Sequence, residues 1–96
     1  MKDANQTSLK EVLKEMVETY RLKNRLNQTR IQNLWNNMMG NSISRHTKDI
    51  KVRKNTLFIT IESAPLRQEL AYGREKIKRM MNRELGEEFL NDVVIR

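Results

Sequence analysis

The sequence predicts an α+β fold, with one domain in which helices cover one face of a three-stranded sheet in the order ααββαβ. Apolar residues recur every three or four positions over residues 9–38, which indicates two consecutive helical segments. Over residues 49–62 apolar and polar residues alternate, which is typical of a β-hairpin. A helical pattern over residues 65–85 and a short apolar segment at 92–96 complete the order.

Length and composition limit the class of protein. The chain has 96 residues, enough for one modest core and too few for two. It contains no cysteine, which excludes disulfides and thiolate metal sites and favours a reducing compartment. No apolar run approaches the length of a membrane span, and the N-terminus lacks the apolar core of a signal peptide. We therefore expect a cytoplasmic protein, or a nucleoid-associated one. Residues 1–7 are expected to form a flexible lead-in to a domain at residues 8–96.

The charge balance favours a polyanionic partner. The chain carries 19 Lys and Arg against 12 Asp and Glu, a formal net charge of +7. Residues 19–48 contain no acidic residue, whereas a solvated helix usually mixes charge signs. The basic residues of this stretch are Arg21, Lys23, Arg25, Arg30, Arg45 and Lys48. A basic surface that binds no ligand is the alternative to a nucleic-acid site.

The first helix is predicted to begin near Ser8, which forms a capping-box pattern with Glu11. A later apolar stripe around Trp35 is rotated from the first one. Either a break near residues 27–28 or one continuous helix with different neighbours would explain the rotation. Gly40 is expected to end the helix in a left-handed cap, so that the chain enters the sheet. The first stripe is expected to face the core and consists of Leu9, Val12, Leu13, Met16, Val17 and Tyr20.

The hairpin is expected to have an apolar face and a polar face. The apolar face should pack on the helices and carries Ile50, Val52, Leu57, Ile59 and Ile61. Lys51, Arg53 and Phe58 then share the opposite face. Alternation in the last strand adds Asp92, Val94 and Arg96 to that same face.

Pro65 suits the first position of the third helix, and Gly86 suits its end. Gly73 lies on the inner stripe of this helix, where its missing side chain is expected to let Trp35 approach closely. Trp35 itself is expected to be a core anchor rather than a base-stacking residue.

Catalysis is not expected. His46 is the only histidine, and neither a cysteine nor a cluster of carboxylates with ligand spacing accompanies it. We expect His46 to be an interior or capping residue. The chain is therefore predicted to be no enzyme and to bind no metal, cofactor, small-molecule substrate or membrane.

Two basic surfaces are candidates for nucleic-acid binding. The first combines Lys51, Arg53 and Phe58, because an exposed aromatic ring among cations on a sheet is how many modules stack bases and hold phosphates. The alternative is that Phe58 packs on the aliphatic stems of its neighbours or mediates self-association. The second surface combines the joint after the first helices with the third helix, through Arg45, Lys48, Arg67, Arg74 and Lys78.

Several short motifs, in their order and spacing, resemble the DciA-like family, whose fuller members act as bacterial replicative-helicase loaders. The motifs are Ser8-Leu9 with Glu11-Val12-Leu13, Trp35 followed by Gly40, Ile43 and His46-Thr47, Asn55-Thr56-Leu57, Ser63-Ala64 with Leu66-Arg67 and Gln68-Glu69-Leu70, Asn82, Leu85-Gly86, and Asp92-Val93-Val94-Ile95-Arg96. The resemblance covers residues 8–96. It implies a KH-like domain that binds single-stranded or forked DNA and contacts the DnaB-type replicative helicase. The chain departs from true KH domains in lacking their Gly-x-x-Gly loop, since Gly40 is followed by Ile43 and not by a second glycine.

Two other functions fit the sequence. The chain could be a protein–protein adaptor whose basic surface meets an acidic patch and which binds little nucleic acid. It could equally be a small RNA-binding protein, because KH-like folds serve both nucleic acids. A winged helix-turn-helix is disfavoured by the final strand.

Overall fold

The computed structural model describes the backbone of residues 2–96 and the side chains of residues 8–96. The predicted α+β class and the three-stranded sheet are confirmed. The order of elements is αββααβ, however, and not ααββαβ. The elements are α1 (Lys2–His46), β1 (Thr47–Arg53), β2 (Thr56–Ile61), α2 (Ala64–Tyr72), α3 (Arg74–Leu85) and β3 (Asp92–Ile95).

The two helices predicted before the sheet are one helix, α1. Ser8 lies inside α1 and does not cap it. The only non-helical backbone angles inside α1 are those of Gly40 (φ 78°, ψ 174°), where the chain bends before the last helical turns. These angles combine a positive φ with an extended ψ, so Gly40 interrupts the helix without forming the predicted left-handed cap. Residues 1–7 were predicted to be a flexible lead-in. Met1 and the side chains of residues 2–7 lie outside the described residues, so this stays a prediction.

The helix predicted over residues 65–85 is divided at Gly73 into α2 and α3. The N–H of Gly73 donates to the carbonyl of Leu70 at 3.0 Å, which closes α2. A Cβ atom at Gly73 would meet only the carbonyl oxygens of Leu70 and Glu69, at 3.7 and 3.9 Å. Trp35 therefore does not approach Gly73, and that part of the prediction is wrong. Gly86 ends α3 in the left-handed conformation (φ 80°), as its position predicted.

The sheet has the order β1-β2-β3 and is mixed. β1 and β2 are antiparallel and pair Ile50 with Ile59 and Lys51 with Phe58. β2 and β3 are parallel, because α2 and α3 return the chain to the end where β2 began. Lys54 and Asn55 both have positive φ (49° and 62°), which suits the tight turn of a right-twisted hairpin.

Helix α1 covers the outer edge of β1. The Nε2 atom of Gln32 donates to the carbonyl of Ile50 at 3.2 Å, and the N–H of Val52 donates to Oε1 of Gln28 at 3.3 Å. An edge strand with unpaired backbone N–H and C=O groups is a template for unwanted strand pairing. The side-chain amides of Gln28 and Gln32 satisfy two of these backbone groups on β1. Gln28 and Gln32 are therefore the polar side chains through which α1 contacts the edge strand.

The core lies between one face of the sheet and the inner sides of α1 and α3. Trp35 is fully buried, and its Nε1–H donates to Oγ1 of Thr47 at 3.0 Å. Thr47 in turn donates to the carbonyl of Ile43 at 2.8 Å, so the indole is fixed to the joint between α1 and β1. The buried apolar residues are Ile31, Trp35, Ile50, Leu57, Ile59, Ile61, Ile77, Met81, Leu85, Phe89, Leu90 and Val93.

Two asparagines hold the segment between α3 and β3. Asn82 is buried, donates through Nδ2 to the carbonyl of Leu90 at 3.0 Å and accepts from the N–H of Leu90 at 2.8 Å. Asn55, in the hairpin turn, donates to the carbonyl of Phe89 at 2.8 Å. Its Oδ1 accepts from the hydroxyl of Tyr20 at 2.9 Å. The turn, the loop before β3 and helix α1 are thereby joined at one end of the sheet.

Candidate nucleic-acid interface

The face of the sheet that points away from the core carries a partly exposed aromatic ring. Phe58 lies in the middle strand, where its neighbours Leu57 and Ile59 are fully buried on the other face. Across the strands Phe58 pairs with Lys51 on one side and with Val94 on the other. Because β2 is central, its outward ring stands between side chains of both neighbouring strands.

Arg96 lies on this ring. Its guanidinium carbon is 4.7 Å from the centroid of Phe58, a cation–π geometry. The backbone of Arg96 is fixed to the middle strand, because its N–H donates to Ile59 at 2.8 Å and its carbonyl accepts from Ile61 at 2.7 Å. We call the surface formed by Lys51, Arg53, Phe58 and Arg96 the open sheet face.

A shallow groove of about 250 Å³ runs over the open sheet face. Helix α1 forms its wall through Gln28, whose amide is held by the N–H of Val52. Sequence reasoning missed Gln28, although a polar residue that interrupts an apolar helical stripe was a signal for it. The groove is lined by Gln28, Lys51, Val52, Arg53, Phe58 and Arg96.

The open sheet face is positive but not purely basic. Nζ of Lys51 is 3.7 Å from Oδ2 of Asp49, and both side chains are well exposed. Such a surface ion pair contributes little and is easily exchanged for a phosphate. Asp92, at the far strand, accepts the N–H of Val93 at 2.8 Å and so directs one carboxylate oxygen at the backbone. The cations Lys51, Arg53 and Arg96 outnumber these two carboxylates on the face.

The cations of the second predicted surface do not line a common groove in the part of the chain that the structure describes. They are Arg45, Lys48, Arg67, Arg74 and Lys78. Lys48 lines a polar depression with Gln32, Asn33 and Asn36 at the edge of β1. The Nε–H of Arg67 donates to the carbonyl of Ile61 at 3.3 Å. The members are spread over four elements, with Arg45 in α1, Lys48 in β1, Arg67 in α2, and Arg74 and Lys78 in α3.

Lys78 is engaged as well, because its Nζ is 3.3 Å from the Glu75 carboxylate. Two of the five cations in this set are therefore already bonded to other groups. Arg45 and Arg74 are exposed at the end of α1 and the start of α3.

Helix α3 carries a second basic row that sequence reasoning did not select. Lys76, Arg79 and Arg83 line a groove with Met80, with a volume of about 230 Å³. Their spacing of three and four residues places them on one side of the helix. The sequence analysis also did not identify Tyr72 as an exposed aromatic residue. It is 82% exposed at the end of α2, and its position directly before Gly73 was a signal that the helix turns there.

His46 is not an interior residue. It is exposed as the last residue of α1, and its carbonyl accepts from the N–H of Glu62 at 2.8 Å. The backbone of His46 thus joins α1 to the end of β2, while its imidazole faces outward.

The described residues hold neither a cluster of metal-ligating side chains nor a membrane-spanning helix. That part of the chain holds no group of three or more His, Asp and Glu side chains placed to bind a metal ion. None of the helices described is long and apolar enough to cross a bilayer.

The fold and the site define a small basic α+β domain with a cation-rich groove on its open sheet face. The family model for the DciA proteins, described as "Dna[CI] antecedent, DciA", matches residues 8–95, and the chain belongs to that family. Membership supports a helicase-loader-like function in DNA replication, in a family of loaders and adaptors that is not known for enzyme activity. No curated protein and no solved structure matches the chain significantly.

Proposed function

We propose that this protein is a DNA-binding accessory of the DnaB-type replicative helicase, and that single-stranded DNA lies along the open sheet face. One observation carries the proposal: the Phe58 ring points outward from the central strand, with the Arg96 guanidinium 4.7 Å from its centroid and Lys51 directly across the strand pair. An aromatic face bordered by cations is suited to bind a base and its phosphates together.

The chemistry favours a single strand over a duplex. A base reaches an aromatic ring or a guanidinium plane only when it is not stacked within a helix. Lys51 and Arg53 are exposed and would contact phosphates, whereas the Arg96–Phe58 pair would receive a base. A protein that holds a single strand in this way while contacting the helicase would present the helicase with its DNA.

The open sheet face is preferred to the second predicted set for a structural reason. Its cations line one groove together with an aromatic ring. In the other set, Arg67 is bonded to the Ile61 carbonyl and Lys78 to Glu75. A strand bound there would have to displace the Arg67 contact to the backbone.

The proposal predicts a strongly salt-dependent affinity for DNA. Two phosphate contacts on a single strand, at Lys51 and Arg53, correspond to a slope of about −1.4 in log K against log salt concentration. The combined variant K51Q/R53Q/R96Q should bind a fluorescein-labelled oligodeoxythymidylate about 30-fold to 100-fold more weakly at low salt, with a slope close to zero. Fluorescence anisotropy titrations at several salt concentrations measure both quantities.

The control variant is K76Q/R79Q/R83Q, which also removes three charges, from the other side of the molecule. It should keep most of the affinity, because its residues lie on α3 and not on the open sheet face. An equal loss in both variants would mean that only net charge matters and would contradict a localised site. Tighter binding to oligouridylate than to oligodeoxythymidylate would support the RNA-binding alternative instead.

Phe58 should contribute through its ring rather than through charge. Phe58→Ala is expected to weaken binding by about 1–3 kcal/mol without changing the salt slope, because one stacked base is lost and no phosphate contact is. Phe58→Leu keeps the apolar bulk but not the planar ring, and should lose nearly as much. An affinity unchanged in both variants would show that the ring only packs against its neighbours.

A further inference from the structure

The first half of α1 carries an apolar stripe of which no side chain is buried by the described part of the chain. The stripe was predicted to face the core, and this prediction is wrong. Its six large side chains are between 49% and 63% exposed. We call residues 8–20 of α1 the arm; the stripe on it consists of Leu9, Val12, Leu13, Met16, Val17 and Tyr20.

The arm extends past the end of the sheet. The hydroxyl of Tyr20 meets Asn55 in the hairpin turn at 2.9 Å, and the residues before Tyr20 lie beyond this contact. The longest dimension of the molecule is 63 Å, against 21 and 19 Å for the other two. At 1.5 Å per residue, the stripe from Leu9 to Tyr20 is about 17 Å long, which is three helical turns.

Helical periodicity shows that the stripe continues the buried face of α1. Leu13, Tyr20 and Ile31 lie on nearly the same side of the helix, since their separations are close to whole numbers of turns. Ile31 is fully buried against the sheet, whereas Leu13 is 53% exposed. An isolated exposed leucine is ordinary, but six large apolar side chains along three turns mark an interaction surface.

The charges around the stripe are arranged asymmetrically. The same periodicity places Lys10, Lys14 and Arg21 along one border of the stripe, with Arg25 continuing the row. Glu11 and Glu18 lie on the back of the helix, and Glu15 lies near Ser8 at the border opposite the basic one. The surface that best complements the arm is therefore an apolar groove with carboxylates along one rim.

A second copy of this chain does not have that complement. In an antiparallel pair of arms the basic border would face the basic border of the other copy. In a parallel pair it would face the opposite border, which holds Ser8, Val12, Thr19 and a single acid, Glu15, against the three basic residues Lys10, Lys14 and Arg21. An anionic membrane fits poorly as well, because three carboxylates lie on the polar side of the helix.

A pocket beside the arm points to a polypeptide as the occupant. It begins at Thr19, next to the end of the stripe, includes Leu22 and Leu26, and has a volume of about 620 Å³. Asn27 lines it and is only 5% exposed, yet its Nδ2 donor has no hydrogen-bond partner among the described residues. A hydrogen-bond acceptor placed in the pocket, such as a backbone carbonyl of a docked segment, would satisfy this donor.

We propose that the arm is the helicase-docking element of this protein, and that it inserts its apolar stripe into a groove of the replicative helicase rimmed on one side by Asp or Glu. This inference rests on the proposed function, which names the helicase as the partner. DNA and the helicase would then occupy different surfaces of one chain, the open sheet face and the arm. The two binding activities should be separable by substitution.

The test is the affinity of the full chain for the purified DnaB-type helicase of the same source, measured by biolayer interferometry without DNA. The variant L13A/M16A should bind at least about tenfold more weakly, because two interface side chains are truncated while helix propensity is kept. K10Q/K14Q should bind severalfold more weakly and should lose most of the salt dependence of the wild type. The control E11A/E18A, on the back of the arm, should bind like the wild type.

Folding and DNA binding serve as internal controls. The arm variants change exposed residues, so their urea unfolding curves, followed through buried Trp35, and their affinity for oligodeoxythymidylate should match those of the wild type. Unchanged helicase affinity in L13A/M16A would overturn the docking site while leaving the proposed function standing. A wild-type chain that does not bind the helicase at all would overturn both. A wild-type dimer in sedimentation equilibrium that L13A/M16A converts to a monomer would assign the arm to self-association and overturn the proposal.

Discussion

Replacing Trp35 by alanine should lower the free energy of unfolding by about 3–5 kcal/mol, a large part of the stability of a domain of this size. The indole is fully buried between α1 and the sheet, and its Nε1–H donates to Thr47 at 3.0 Å. Removing the ring leaves a cavity and also frees the hydroxyl that holds the α1–β1 joint to the Ile43 carbonyl. Urea unfolding followed by far-ultraviolet circular dichroism measures the loss.

Trp35→Phe is the matched variant for this prediction. It keeps an aromatic ring in the core but removes the hydrogen bond to Thr47, and should cost roughly 1–2 kcal/mol plus a packing contribution. Equal stabilities for the wild type and Trp35→Ala would show that the joint is held by other contacts.

The second large effect is expected at Asn82. Its side chain binds both backbone groups of Leu90, at 2.8 and 3.0 Å, in a buried position. Asn82→Ala would leave a buried N–H and a buried carbonyl unsatisfied, which should cost about 2–4 kcal/mol. The same urea unfolding experiment applies, and β3 should lose protection from hydrogen exchange before the rest of the sheet.

Asn91→Ala provides the control for Asn82. Asn91 lies beside Leu90 but its side chain is exposed, and only its backbone N–H is used, in a bond of 2.8 Å to Asn55. It should change the stability by less than about 0.5 kcal/mol. A loss as large as that of Asn82→Ala would place the effect in the composition of the loop rather than in the buried amide.

The hairpin and its two faces were predictable because the information is local. Alternation with a period of two assigns Ile50 and Ile59 to one face and Lys51 and Phe58 to the other, and the register in the structure pairs them as expected. The direction of Phe58 follows from the burial of Leu57 and Ile59 on either side of it. Nothing beyond the strand itself is needed for this assignment.

The arm was not predictable in the same way. An amphipathic pattern shows that a helix has an apolar face but does not show what covers that face. Leu13 and Ile31 lie on the same side of α1, yet one is 53% exposed and the other fully buried. The difference depends on where the sheet ends beneath the helix, which is set by the hairpin turn at Asn55.

The groove on the sheet was partly predictable. Alternation placed Arg96 on the same face as Phe58, but its position over the ring depends on the parallel pairing of β3 with β2. Gln28 entered the site through a hydrogen bond to the edge strand, 24 residues away in sequence. Contacts of this kind depend on packing between elements and leave little trace in the local pattern.

The division of the predicted helix at Gly73 also depends on information that the local sequence pattern does not carry. A period of 3.6 continued through residues 65–85, and a glycine on an apolar stripe suggested a close approach of two helices. In the structure Gly73 separates α2 from α3 instead, with its N–H bonded to Leu70. A glycine within a helical pattern thus has two interpretations, and the sequence alone favoured the wrong one.

We expect DNA to bind the open sheet face of this chain, apart from the arm. The most direct measurement is a titration of the ¹⁵N-labelled protein with a short oligodeoxythymidylate, followed by amide chemical shifts. We expect the largest shifts at Lys51, Phe58 and Val94, and unchanged shifts at Leu13 and Met16. Large shifts at Arg45, Arg67 and Arg74 with an unperturbed sheet would contradict the account.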